Sequence, residues 1–130
     1  MMSVAMQPVS GLVSGFMDSI QEPRQPYISP ARFAKVVGVS IQALAVLAGV
    51  HRNTVTQHPD SGRLQDRLRD MAKAILAAAA LTGDLEQAIY WFRNEPIADY
   101  RQKTAAELVG EGQLDAVLAY LDDLRRGATG

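Results

Sequence analysis

Apolar positions recur at helical spacing along most of the chain, and no stretch alternates convincingly at the period of a strand, so the pattern predicts an all-α fold. Val9, Leu12, Val13, Phe16, Met17 and Ile20 follow the stripe of an amphipathic helix. Gly11 and Gly15 oppose it, each weakening a helix by about 1 kcal/mol relative to Ala, so a marginal helix and a flexible arm are both open there. Gln21 to Pro26 carries two prolines and reads as an extended linker. Ser29-Pro30 then opens a helix, with a capping hydroxyl and a proline at the first position, and Gly38 ends it. Ser40 caps the next.

The stretch Ser40 to Gln57 holds the most informative spacing. Ile41, Leu44, Ala45 and Ala48 mark one helix face, Gly49 interrupts it, and Val55 turns inward from a second, short run. Two helices crossing over a tight turn need a small residue where they touch, which Ala45 supplies, and backbone freedom at the turn, which Gly49 supplies. That is the spacing of a helix-turn-helix. Its second helix exposes His51, Arg52, Asn53, Thr54, Thr56 and Gln57, side chains able to reach phosphates and base edges. An ordinary helical hairpin with a solvated polar face is the alternative. Pro59 ends the run, keeping it to about two turns.

From Gly62 to Leu81 a long helix follows, with Leu64, Leu68, Met71 and Ile75 inward, then Ala72 to Ala80 almost all small, a face open to close helix approach and to a dimer contact. Arg63 and Arg67 share one side of its first half and are candidates for flanking phosphate contacts; a merely solvated face is the other reading. Asp84 caps a helix reaching Phe92, and Asn94-Glu95-Pro96 breaks it. Thr104 to Glu107 forms a capping box, and Leu114, Val117, Leu118, Leu121 and Leu124 define a last helix closing at Arg125-Arg126-Gly127.

Composition narrows the function classes. The 130 residues are 48% hydrophobic and 21% charged, ordinary for a globular chain, with no cysteine for disulfides, thiol catalysis or thiolate zinc. No run nears the roughly 18 apolar residues of a membrane span, and no cation precedes Arg24, so neither a membrane segment nor a secretory signal is expected; a cytoplasmic location fits. Net charge is −1, but it is polarised. Residues 29–73 hold seven basic against three acidic side chains, and residues 84–130 hold five against nine. The first half suits phosphates; the second would be repelled by them.

Catalytic chemistry is thin. The two histidines, His51 and His58, flank the short second helix without a third ligand at metal spacing, and no histidine elsewhere serves as a general base. Neither an enzyme nor a bound cofactor or metal is expected. Tyr90, Trp91 and Phe92 are consecutive on a helix and cannot all face one core, so at least one meets solvent or a partner.

The stretch Asp84 to Gly127 resembles the toxin-binding domain of Xre/MbcA/ParS-type antitoxins. The resemblance is carried by Ala88 to Phe92, Asn94-Glu95-Pro96, Thr104 to Val109, Gly112, Val117 to Leu121, Leu124 and Arg126-Gly127, and the upstream helix-turn-helix fits the Xre-like half of the same family. Thr104 departs from it, since many members carry proline there. The resemblance implies an antitoxin of a two-gene module. Its cognate toxin is usually of the RES type and consumes NAD, and the C-terminal domain covers that toxin's pocket while the N-terminal domain binds the module's promoter. It also implies homodimers. By position, Trp91, Arg93, Arg125, Arg126 and Gly127 are the implied toxin contacts. The organisation expected is thus an arm over 1–28, a DNA-binding domain over 29–82 and a toxin-binding domain over 83–130. The rivals are a protein-sequestering module without DNA binding and a stand-alone repressor without a toxin.

Overall fold

A computed structural model describes residues 9–129, and every element of regular structure among them is helical. The order is α1 (Val9–Ile20), α2 (Pro30–Val37), α3 (Ile41–Ala48), α4 (Arg52–Gln57), α5 (Gly62–Thr82), α6 (Leu85–Asn94), α7 (Ala105–Gly110) and α8 (Leu114–Thr129), with one 3-10 turn at Ala98–Tyr100. No single helix among the described residues is long and apolar enough to cross a membrane.

Local chemistry places the helix ends as the sequence predicts. Ser29 Oγ accepts from the Arg32 N–H at 3.1 Å and Ser40 Oγ from the Ala43 N–H at 3.0 Å, each satisfying a donor that a first turn leaves free. At Thr104 the hydroxyl accepts from the Glu107 N–H while the Glu107 carboxylate accepts from the Thr104 N–H, a complete capping box. Gly49 leaves α3 at φ 68, a left-handed conformation that a side chain would strain. At the other end the outcome differs: α8 continues through Gly127 to Thr129, so that glycine lies within the helix and does not cap it.

The 21-residue α5 is the spine. It packs against α1 and α3 on one side and against α6, α7 and α8 along its length. Its small residues Ala72, Ala74, Ala78 and Ala79 are buried, as a face built for close approach should be. One continuous core runs from Phe16, Ile20, Phe33 and Leu44 through Leu64, Leu68 and Ile75 to Phe92, Leu108 and Val117. The helix expected near the N-terminus is therefore docked on the body by Phe16 and Ile20; residues 1–8 of that arm lie outside the described residues.

Two connections are more ordered than their sequences imply. Gln21 to Pro26 is not extended: the Glu22 N–H donates to Tyr27 at 3.0 Å and the Ser29 N–H to Ile20 at 2.7 Å, closing a compact turn. After α6, the Ile97 N–H donates to Lys103 at 2.9 Å, closing a loop whose Ile97 side chain is buried. The first loop is locked from outside. Gln65, buried on α5, accepts from the Ile28 N–H at 2.9 Å and donates to the Ile28 carbonyl at 2.8 Å and the Pro59 carbonyl at 2.7 Å. One amide thus fastens both the strap before α2 and the exit from α4.

Candidate functional site

The polar flank of α4 forms the first candidate surface. Three residues, Gly49, Val50 and His51, join α3 to α4, and Ala45 and Val55 are buried where the two helices meet. This is the arrangement expected of a helix-turn-helix. His51 caps α4, its Nδ1 accepting from the Asn53 N–H at 3.0 Å, so that nitrogen is engaged in structure and the rest of the ring remains outside. Arg52, Asn53, Thr56 and Gln57 are exposed, while Thr54 is half-buried. The Thr56 hydroxyl donates back to the Asn53 carbonyl at 3.3 Å, which leaves its lone pairs outward. The flank therefore offers one guanidinium, two amides and hydroxyls on a single short helix.

Two arginines on α5 were expected to extend this surface, and they part company. Arg63 is exposed and lies across the turn, its Nη2 only 3.3 Å from where a β-carbon on Gly49 would stand. There it faces the C-terminal end of α3, whose dipole favours a cation, and remains next to α4. Arg67 points the other way. Its Nη1 donates to the Val109 carbonyl at 2.7 Å, another of its nitrogens is fully buried, and its side chain is only 22% exposed. Asp70 pairs with it at 3.7 Å. It pins α7 to α5, whereas Arg63 stays at the surface beside the α3–α4 turn.

The second candidate surface lies over α5, α6 and α8. Of the three consecutive aromatics, Phe92 is fully buried, Trp91 is half-buried and Tyr90 is 65% exposed. Helical geometry explains the split, since successive residues point about 100° apart and only one can face α5. Trp91 stacks on Tyr120 of α8, ring centroids 6.4 Å apart and ring planes nearly parallel, and Tyr100 meets the same ring edge-on. An apolar groove of about 610 Å³ runs beside them, lined by Ala78, Leu81, Ala88, Tyr90, Leu121 and Leu124 among others. Trp91 lines it too.

The arginines named for this surface are dispersed. Arg125 and Arg126 share one carboxylate on their own helix: Arg125 Nη2 meets Asp122 at 2.8 Å and Arg126 Nε meets it at 3.0 Å. The Arg125 guanidinium, through its hydrogen bond, holds the Asp122 carboxyl below its usual range, with the Arg126 charge adding to it. Arg125 lines a second groove that shares Leu81 and Leu121 with the first, so it lies beside Trp91's site. Arg93 does not. It lines a separate groove with Val46 and Leu47 of α3, and its Nη1 is 2.9 Å from where a β-carbon on Gly38 would stand, at the end of α2. Trp91 and Arg93 are thus on different faces of α6. Gly127 is exposed on α8 beyond both.

Sequence reasoning missed Tyr90 as the aromatic that projects and Leu81 beside it, and it placed Leu124 inward on α8, whereas that side chain is exposed at the rim of the groove. The only signal was the impossibility of burying three consecutive aromatics. Among the described residues, no cluster of three or more His, Asp or Glu side chains is arranged to hold a metal ion.

The described residues thus form a helical body with the α3–α4 pair exposing a polar flank and an apolar groove open beside α6 and α8. Residues 77–127 match the family model of the antitoxin Xre/MbcA/ParS C-terminal toxin-binding domain. Over that segment the chain is similar to this toxin-binding domain. The match begins inside α5, so the matched segment takes in the last six residues of the spine, Ala77 to Thr82, as well as α6 and α7 and most of α8. Comparison with curated proteins and with solved structures finds no match.

Proposed function

We propose that this antitoxin neutralises a RES-type, NAD-consuming toxin by covering its active site with the C-terminal helices, and represses its own operon through α4 as a homodimer. The observation that carries the reading is the pairing of the toxin-binding family match over residues 77–127 with an exposed polar flank on α4. On that flank Arg52, Asn53, Thr56 and Gln57 read base edges, His51 and Thr54 contribute from the helix start, and Arg63 contacts a flanking phosphate. Trp91, Arg125, Arg126 and Gly127 face the toxin from α6 and α8, and Arg93 reaches it from its own groove. Two copies would present two α4 helices to a two-fold operator. In the domain organisation that follows, residues 29–82 hold the DNA-reading unit and residues 83–130 the toxin contacts, in the cytoplasm.

The test has two arms. The purified product of the adjacent reading frame should consume NAD, and equimolar antitoxin should stop it. A fragment of the module's own promoter should be retarded in gels by the antitoxin, with affinity falling steeply as salt rises. NAD consumption untouched by the antitoxin overturns the first half of the reading; no retardation at low salt overturns the second.

Two observations favour a second reading, sequestration of a protein without DNA binding: α4 has only six residues, and Arg67 is committed to the fold. The same gel assay separates the two, because the sequestering module retards no DNA at any salt.

A further inference from the structure

Three of the five large hydrophobic side chains exposed among the described residues, Leu81 at 36%, Tyr90 at 65% and Leu124 at 41%, rim one groove. A cluster of this kind on a folded chain marks a surface that a partner covers. The floor beneath is apolar, built from Ala78, Ala88 and Leu121. What distinguishes this groove is its charge. Glu86 and Glu95 line it at the two ends of α6, both exposed, and no lysine or arginine lines it.

From this we infer that the groove receives an amphipathic helix of the toxin whose apolar stripe is flanked by two basic residues; the inference rests on the toxin-binding reading and specifies the partner's chemistry. Glu86 and Glu95 stand about 13 Å apart along α6, given a rise of 1.5 Å per residue. A partner helix lying alongside α6 therefore matches them with cations about nine residues apart. Tyr90, projecting between the two carboxylates in sequence, supplies the anchor, and Leu81 and Leu124 close over the stripe from α5 and α8.

Among the described residues, no exposed large hydrophobic outside the groove sits on a helix that carries a cation. The other two exposed large hydrophobics, Val13 and Val46, sit on α1 and α3, neither of which contains a lysine or arginine. The first eight residues also contain no cation. Arg125 and Arg126 at the end of α8 are already paired with Asp122. Charge complementarity thus points to a different protein and away from a second copy.

The experiment measures binding of the purified product of the adjacent reading frame to the full-length antitoxin by titration calorimetry, at low and high salt. Tyr90→Ala and Leu124→Asp alter exposed side chains, and unchanged melting would establish that the fold is kept. Each should weaken binding about tenfold or more, as truncation of an interface anchor does. The double variant Glu86→Gln with Glu95→Gln should weaken it about tenfold at low salt and remove most of its salt dependence. Val13→Asp, on α1 and outside the grooves described, should bind as the wild type does. If wild-type antitoxin binds while the groove variants bind equally well, the groove assignment is wrong and the toxin-binding reading stands. If the groove variants leave affinity unchanged but alter the antitoxin's own mass in sedimentation, the occupant is a second copy and the inference is overturned. If the wild type binds no adjacent product, both fall together.

Discussion

Replacing Gln65 with leucine should show how much of this fold hangs on one buried amide. The side chain is 3% exposed and makes three hydrogen bonds, to the Ile28 N–H, the Ile28 carbonyl and the Pro59 carbonyl. Leucine fills similar space but returns none of them. The bond to Pro59 is only part-buried, so water can replace it, whereas the two groups of Ile28 sit in a buried setting. At about 1 to 3 kcal/mol for each buried polar group left without a partner, and less the apolar gain of leucine, the net loss is about 3 kcal/mol. That is a large share of the roughly 5 to 15 kcal/mol that holds a domain together. For a chain of this size, about 4 °C per kcal/mol converts the loss to a fall in melting temperature of about 12 °C. Thermal unfolding followed by circular dichroism reads it directly. Gln42→Leu, at an exposed site on α3, is the control and should stay within about 0.5 kcal/mol of wild type. A Gln65→Leu protein that melts with the wild type would refute the claim that this amide fastens the strap before α2 and the exit from α4.

Other perturbations probe other joints. Gly110→Ala would place a β-carbon 3.0 Å from the Leu47 carbonyl oxygen, a backbone atom that cannot swing aside, so α7 and α3 must separate. Overpacking of about 1 to 3 kcal/mol against a helix-propensity gain of about 1 predicts a net loss near 1 kcal/mol by urea unfolding. Gly15→Ala in α1 meets nothing within 4 Å and should gain about 0.5 to 1 kcal/mol in the same assay. Arg52→Ala should weaken binding to the module's promoter by about 1 to 3 kcal/mol if it contacts a base, measured by fluorescence anisotropy. Asp122→Asn frees Arg125 and Arg126 from their shared carboxylate and, this group being on the surface, should leave melting unchanged while altering the toxin association rate and its salt dependence. Because the folded Asp122 titrates below the usual carboxylate value, the pairing is present above that value and is lost only as pH falls through the lower one, which carboxylate chemical shifts can follow.

What the sequence makes legible here is local. Serine and threonine caps, the glycine at the α3 exit and the inward leucines of α5 act within one turn of the residues that announce them, and the structure places them as the pattern predicts. What it hides is set by partners far along the chain. Gln65 sits beside Leu64 and Leu68 with no sign that its partner is 37 residues away, and Arg67 looks like a surface cation until Val109, 42 residues on, accepts from it. The aromatic triplet lies between these cases. Its spacing demands that one ring face outward, but only the position of α5 and α8 decides that Phe92 goes in, Trp91 leans on Tyr120 and Tyr90 goes out. Likewise Arg93 and Trp91 are two residues apart, which on a helix sends them to different faces and different grooves.

Growth of cells expressing the adjacent reading frame, with and without this chain, bears most directly on the account. Induction of the neighbour alone should arrest growth, and co-expression of this chain should restore it. Arg52→Ala, altered only on the α4 flank, should restore it equally, while Tyr90→Ala combined with Leu124→Asp should not. Arrest that persists beside the folded wild-type chain would contradict the account at its centre.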